Sequence, residues 1–233
     1  MDPRSNLLTA GLHELSIDTA SDLASIALSR EGSLVSDVAW RCVRNHTVEL
    51  LPRIEQLLDE TGIEKTDLSA VFVSIGPGMY TGLRVGVSIA QGLARTMQIP
   101  AIGVGRLELD AYPHRDFEGP IVAVHRAGRG ELAWASYQAG PWREVSPPRL
   151  SLPDNLAGAV RDGALVVGEI DDKLSALIEG RDVTVRGPAG AGRARSLAEL
   201  GFACWQAGET AEPALLRPIY LRPPAIGSQQ PGT

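Results

Sequence analysis

The residues of this chain best spaced to do chemistry form one run, Ser74-Ile75-Gly76-Pro77-Gly78-Met79-Tyr80-Thr81-Gly82-Leu83-Arg84-Val85-Gly86. It joins a strand-like segment, 70–75, to a helix-like one, 81–97. Glycines at such a junction bring backbone N–H groups to a helix N-terminus, where an anion or another backbone can approach closely. A Walker loop needs Lys and then Ser or Thr after its last glycine to meet phosphate and magnesium. Here Gly82 is followed by Leu83 and Arg84, so that chemistry is excluded. The dinucleotide fingerprint fails too, because the glycines fall at 76, 78 and 82 and no acidic residue follows at the ribose-binding distance. Gly76, Pro77, Gly78, Thr81, Gly82 and Arg84 are therefore read as a structural elbow.

Other reactive residue types are scattered. His13, His46, His114 and His125 have no i,i+4 histidine partner, so no metal centre is expected, and His46 beside Asn45 and Thr47 reads as a helix start. No G-x-S-x-G elbow occurs to present a serine nucleophile. Cys42 and Cys204 are the only cysteines, without a CxxC pair, which points to a reducing, cytoplasmic setting and away from a disulfide framework. The formal net charge of −6 argues against autonomous nucleic-acid binding, since lysines and arginines supply most of that affinity. No apolar run reaches the roughly 18–20 residues of a membrane span, and no membrane association is expected.

The elements that must position the elbow follow from patterning. Segments 12–18, 23–29 and 34–40 are short, apolar-rich and separated by turn-like residues, as in an antiparallel meander. Val48, Leu51, Ile54, Leu57 and Leu58 recur at three- and four-residue spacing and predict an amphipathic helix over 46–60, with Pro52 bending it or shortening its start and Gly62 ending it. A buried strand at 71–75 enters the elbow, the helix 81–97 leaves it, and a short strand follows at 101–104. The pattern then restarts: strands at 121–125, 132–138 and 143–145, a strand at 165–168, a helix at 171–178, a strand at 183–186 and a helix at 195–207. At 233 residues, with about 150 per domain as a guide, two small domains fit. We assign a disordered extension to 1–11, an N-terminal domain to 12–107, a C-terminal one to 108–222 and a disordered tail to 223–233.

The elbow and its surroundings resemble the TsaB (YeaZ) family of tRNA threonylcarbamoyladenosine biosynthesis. The matching pieces are Leu15-Ser16-Ile17-Asp18-Thr19-Ala20, Asn45-His46-Thr47, the elbow with Gly82 to Ala94, Ile102-Gly103-Val104, Gly130 to Tyr137, and Pro218-Ile219-Tyr220-Leu221-Arg222. The resemblance implies an α/β fold of two ribonuclease-H-like halves of the actin and sugar-kinase (ASKHA) superfamily, the second half degenerate. It also implies a non-catalytic subunit that holds and activates TsaD, meets TsaE through the complex, forms a homodimer when alone and touches tRNA only indirectly. The HxxxH pair of the catalytic sister family TsaD is absent.

In that superfamily nucleotide is clamped at the strand ends, which makes Asp18, Thr19, Gly76 and Gly78 the candidate nucleotide contacts. Asp18 lacks the following glycine of the superfamily hairpin, and His125 stands where relatives often carry Asp; a turn-satisfied carboxylate is the plainer account of Asp18. No cofactor is expected on this chain alone, with ATP or ADP assigned to the interface of the complex. The resemblance places the partner contact on helices 46–60 and 81–97, and the candidate interface residues are Leu51, Ile54, Leu58, Leu83, Val87 and Gln91. Gly82, Gly86, Ala90 and Ala94 form a smooth ridge that suits either close packing on the protein's own sheet or a partner helix. The rival function is a small ATP-dependent kinase or hydrolase of the same fold using Asp18 and the elbow; a stand-alone dimeric scaffold is a third.

Overall fold

The computed structural model describes residues 13–42, 45–188, 190–209 and 212–222. The expectations for 1–11 and 223–233 concern residues outside these. β1 (His13–Asp18), β2 (Leu23–Arg30) and β3 (Ser33–Arg41) form the meander; α1 (His46–Thr61), β4 (Leu68–Gly76), α2 (Tyr80–Met97), β5 (Ala101–Gly105) and α3 (Arg106–Ala111) follow. Their sheet has the order β3-β2-β1-β4-β5, antiparallel across the meander and parallel from β1 to β4 to β5. The chain then repeats itself with β6 (Ile121–Gly128), β7 (Glu131–Gln138), β8 (Arg143–Ser151), α4 (Pro153–Ala159), β9 (Ala164–Gly168), α5 (Asp172–Ile178), β10 (Val183–Arg186) and α6 (Ala194–Gln206). The second sheet, β10-β9-β6-β7-β8, has the same order and the same sense of pairing.

Two ribonuclease-H-like halves are thus present, and the second is reduced where its helices are concerned. α4 and α5 have 7 residues each, against 16 and 18 in α1 and α2. Both halves end their fourth strand on a glycine in the left-handed region, Gly76 at φ 98° and Gly168 at φ 108°, a conformation that side-chain-bearing residues rarely adopt.

Several local expectations need correcting. Pro52 neither shortens nor ends α1, which runs through it to a left-handed Gly62 cap; Pro52 and Val48 are both exposed, so the carbonyl that loses its helical partner faces water. β8 continues to Ser151 through Pro147 and Pro148, which is tolerated because β8 is the sheet edge. α4, opening on Pro153, went unpredicted, and α3 (Arg106–Ala111) runs across the 107/108 division between the assigned domains. The last helix, counted with the second half from sequence, packs on the first sheet: Leu197 and Leu200 of α6 share a core with Ala70, Phe72, Ile102 and Val104. α1 and α2 cover the opposite face through Leu50, Ile54, Leu57, Leu58, Val87, Ala90 and Ala94, against Leu15, Ile17, Val71 and Val73.

Candidate functional site

Two places gather the residues singled out above: a cleft between the halves and a groove between α1 and α2. The cleft, of about 770 Å³, is bounded by the turn 20–22, the elbow 77–80, Arg106, the end of β6, Glu169 and residues 219–222. Strand ends from both sheets lead to it: the 20–22 turn follows β1, which Asp18 closes, and Glu169 follows β9.

The elbow is positioned by absence of side chains. A Cβ on Gly78 would lie 2.3 Å from the Ala20 carbonyl oxygen, one on Gly82 2.1 Å from that of Thr19, and one on Gly86 2.3 Å from Thr19 Oγ1. The turn after β1 therefore lies directly on the start of α2. Met79 N–H donates to the Ala20 carbonyl (2.9 Å), and the Thr19 hydroxyl donates to the Gly82 carbonyl (2.8 Å). Gly82, Gly86, Ala90 and Ala94 are all buried, so the smooth ridge serves packing within this chain. Thr81 is exposed on the first turn of α2, and Pro77 follows Gly76 through a cis peptide bond. Arg84 turns outward to lie over the Tyr80 ring at 4.2 Å, with Nε 3.3 Å from the Tyr220 hydroxyl.

The candidate nucleotide contacts are already engaged. Asp18 is fully buried; one carboxylate oxygen accepts from Ala20 N–H (3.1 Å) and the other from Arg193 Nη1 (3.2 Å). Arg193, at the start of α6, also donates through Nε to Asp110 (2.6 Å) and through Nη1 to Ser21 Oγ (3.1 Å). Thr19 is spent on Gly82, while Gly76 and Gly78 are held against neighbouring chain. Asp18 is thus a structural carboxylate, satisfied by its turn and by a buried cation.

A second buried arginine faces the other half. Arg106 is fully buried, reaches the Ala20 carbonyl (3.4 Å), lies 3.6 Å from Asp110 and is ion-paired with Glu169. His125 Nδ1 sits 2.9 Å from the other Glu169 oxygen. Burial alone would raise the Glu169 carboxyl, but the His125 hydrogen bond and the Arg106 charge outweigh it and hold the group well below the usual carboxylate range. Burial, with Arg106 alongside, pushes the His125 imidazole below its ordinary value despite the Glu169 hydrogen bond. Arg106, Asp110 and Glu169 were not singled out from sequence, and Arg193, within the basic run Arg186 to Arg195 whose sequence reads as a solvated loop, is instead buried and paired. The result is two arginine clamps where the two sets of strand ends meet, with no group of three or more ligating side chains for a metal among the described residues.

The groove between α1 and α2, about 770 Å³, is lined mainly by Leu51, Leu68, Ile89, Leu93, Met97 and Ile99. Leu51 is 46% exposed, and Ile89, Leu93 and Met97 are only partly covered. Gly92 opens directly into it, with nothing within 4 Å of where a Cβ would be. Four of the six candidate interface residues lie elsewhere: Ile54, Leu58, Leu83 and Val87 are buried at 4% exposure or less, facing the core. Gln91 is occupied with the 213–216 segment, its amide donating to the carbonyls of Pro213 (2.8 Å) and Leu216 (3.1 Å). Only Leu51 remains on the open surface. The apolar stripe left open on α2 runs through Ile89, Leu93 and Met97, two positions along from Val87 and Gln91.

Duplicated sheets of order 3-2-1-4-5 with a cleft between them define a protein of the actin and sugar-kinase fold class, here with its strand-end carboxylates bound to internal arginines. Comparison with known proteins narrows this. The family model described as "TsaD: tRNA N6-adenosine threonylcarbamoyltransferase" matches residues 40–147. The tRNA threonylcarbamoyladenosine biosynthesis protein TsaB of Bacillus subtilis is 37% identical over 53% of this chain and 54% of its own; the match thus spans about half the length of that relative. The TsaB of Haemophilus influenzae is 26% identical over 94% of this chain and 97% of its own. The structure of YeaZ from Pseudomonas aeruginosa superimposes with a TM-score of 0.75 at 27% identity, covering 90% of this chain and 99% of that one. These likenesses support assignment of the chain to the TsaB (YeaZ) family.

Proposed function

We propose that this chain is a non-catalytic, cytoplasmic subunit of the machinery that makes threonylcarbamoyladenosine in tRNA, and that it holds and activates TsaD through the groove between α1 and α2. The observation that carries this reading is the groove itself: an apolar channel left open between two long helices whose inner faces pack on the first sheet. Apolar surface of this extent on a helix pair finds its burial against another pair of helices. The relatives from Bacillus subtilis and Haemophilus influenzae are biosynthesis proteins of this modified nucleoside. TsaE is reached through the complex, tRNA is contacted through the partner, ATP or ADP belongs at the joint interface, and the same groove mediates a homodimer when the chain is alone. The rival kinase or hydrolase reading needs a free Asp18, and that carboxylate is bound to Arg193.

Gly92→Trp tests the reading. An added Cβ at this position has no atom within 4 Å, so the larger side chain enters the open groove at little cost to the fold, while TsaD binding by calorimetry falls by about tenfold or more. Unchanged affinity for TsaD in this variant overturns the groove as the interface. Formation of threonylcarbamoyladenosine by this chain without TsaD overturns the non-catalytic assignment.

A further inference from the structure

Beyond α6 the chain passes to α2 and from there along the cleft. The Gln91 amide, already seen to hold the carbonyls of Pro213 and Leu216, fixes the start of this strap, and the Leu216 side chain is buried in the core shared with Val87, Ala90 and Ala94. Ile219 N–H then donates to the Ile75 carbonyl near the end of β4 (2.7 Å), and the Tyr220 ring lies against that of Tyr80, centroids 5.1 Å apart. All of these fastenings are to the first half. At its far end the strap meets the second half, where Arg222 is ion-paired with Glu131, the first residue of β7. Between the two ends, Ile219, Tyr220, Leu221 and Arg222 wall the cleft that also holds Arg106, His125 and Glu169.

The ends differ in how hard they are to move. Withdrawing Leu216 would uncover an apolar side chain now 5% exposed and break both Gln91 bonds. Arg222 and Glu131 keep about a third of their side-chain surface in water, 31% and 32%. An ion pair so placed exchanges readily for water and is weakened by salt. The halves themselves do not hang on it, because Arg106, fully buried, pairs with Glu169 inside the cleft.

We propose that residues 217–222 are a latch on the cleft, hinged where Leu216 is buried and fastened by Arg222 to Glu131, which opens and closes while the two halves stay in place. Fastened, it narrows the way to Arg106, His125 and Glu169, and only 14% of the His125 side chain meets solvent. Released, it admits small solutes to them.

The experiment takes the full chain at about pH 7.5, where the His125 imidazole is neutral, in about 20 mM and about 500 mM NaCl. Mass spectrometry reads hydrogen exchange over residues 217–222 and acylation of His125 by diethyl pyrocarbonate; His114, beside Arg186 and away from the cleft lining, is the internal reference. In the parent both rates are expected to rise with salt. Glu131→Gln is expected to raise both by about two- to fivefold at low salt, to remove their salt dependence and to leave His114 unchanged. The exchanged pair Arg222→Glu/Glu131→Arg is expected to return both to the parent rates. Equal exchange over 217–222 in the parent and Glu131→Gln, or an exchanged pair as loose as Glu131→Gln, overturns the fastening. Faster exchange there without faster acylation of His125 overturns the gating of the cleft. An equal rise at His114 makes the change a general loosening and overturns the latch as well.

Discussion

One substitution, made twice on the same helix, separates the packing logic of the elbow from ordinary helix propensity. In Gly82→Ala the new Cβ would stand 2.1 Å from the Thr19 carbonyl oxygen, well inside the 3.0 Å that real Cβ contacts keep. Backbone cannot swing aside as a side chain can, so the β1–β2 turn and the start of α2 must separate. Overpacking of this kind costs about 1–3 kcal/mol. Separation also breaks the Thr19 to Gly82 hydrogen bond, worth about 1 kcal/mol. Alanine returns up to about 1 kcal/mol through helix propensity. The net is a loss of about 1–3 kcal/mol, and a chain of this size shifts by roughly 2–4 °C per kcal/mol, so the melting temperature should fall by about 3–10 °C. In Gly92→Ala nothing lies within 4 Å of the added carbon, and the propensity gain stands alone, raising the melting temperature by about 1–4 °C. Thermal unfolding followed by circular dichroism at 222 nm reads both. A Gly82→Ala protein that melts at or above the parent, or a Gly92→Ala protein that falls as far as Gly82→Ala, refutes the close-approach account.

Removing a clamp should be costlier. Arg193→Met leaves Asp18 buried without its cation and Asp110 with Arg106 alone, and a loss of about 3–5 kcal/mol in urea unfolding is expected; a change under about 1 kcal/mol would mean that the clamp does not secure α6 to β1 and α3. Acid should act on the second clamp. Both Glu169 and His125 have folded pKa values below their unfolded ones, so the unfolded chain takes up more protons and stability rises with pH. The His125 contribution is complete above about pH 6.5 and is lost below it, and that of Glu169 is complete above the usual carboxylate range and is lost as acid reaches its depressed value. Urea midpoints measured from pH 7 down to pH 4 should therefore decline, and the decline should flatten in His125→Gln, which removes the imidazole and leaves Glu169 less depressed; identical slopes in the two proteins would count against the cluster.

The legible parts of this molecule were the long ones. α1 and α2 are each four turns or more, enough for the apolar period to define them, and the glycines between β4 and α2 marked a junction whose geometry leaves few alternatives. α4 and α5, at two turns, are too short for a period to register. Which face of α2 points outward was a harder matter. Periodicity yields stripes but does not rank them, and the deciding fact, that only residues without side chains fit beneath Thr19 and Ala20, is a tertiary one. It sent Gly82, Gly86, Leu83 and Val87 inward and left Ile89, Gly92 and Leu93 to the groove. The clamps were beyond reach for a similar reason: Arg193 lies 175 positions from Asp18 and Arg106 lies 63 from Glu169, and nothing in the local pattern joins them.

The placement of α6 ties the first sheet to the end of the chain in time as well as in space. The ribosome delivers β1 to β5 by residue 105, yet the face carrying Ala70, Phe72, Ile102 and Val104 has to wait about another hundred residues for Leu197 and Leu200 to cover it. Synthesis therefore completes the second sheet before the first is closed. The nascent chain passes through an interval in which its earliest-made sheet is greasy on one side, and the two halves, alike in topology, are unequal as folding units because one of them depends on a helix translated last.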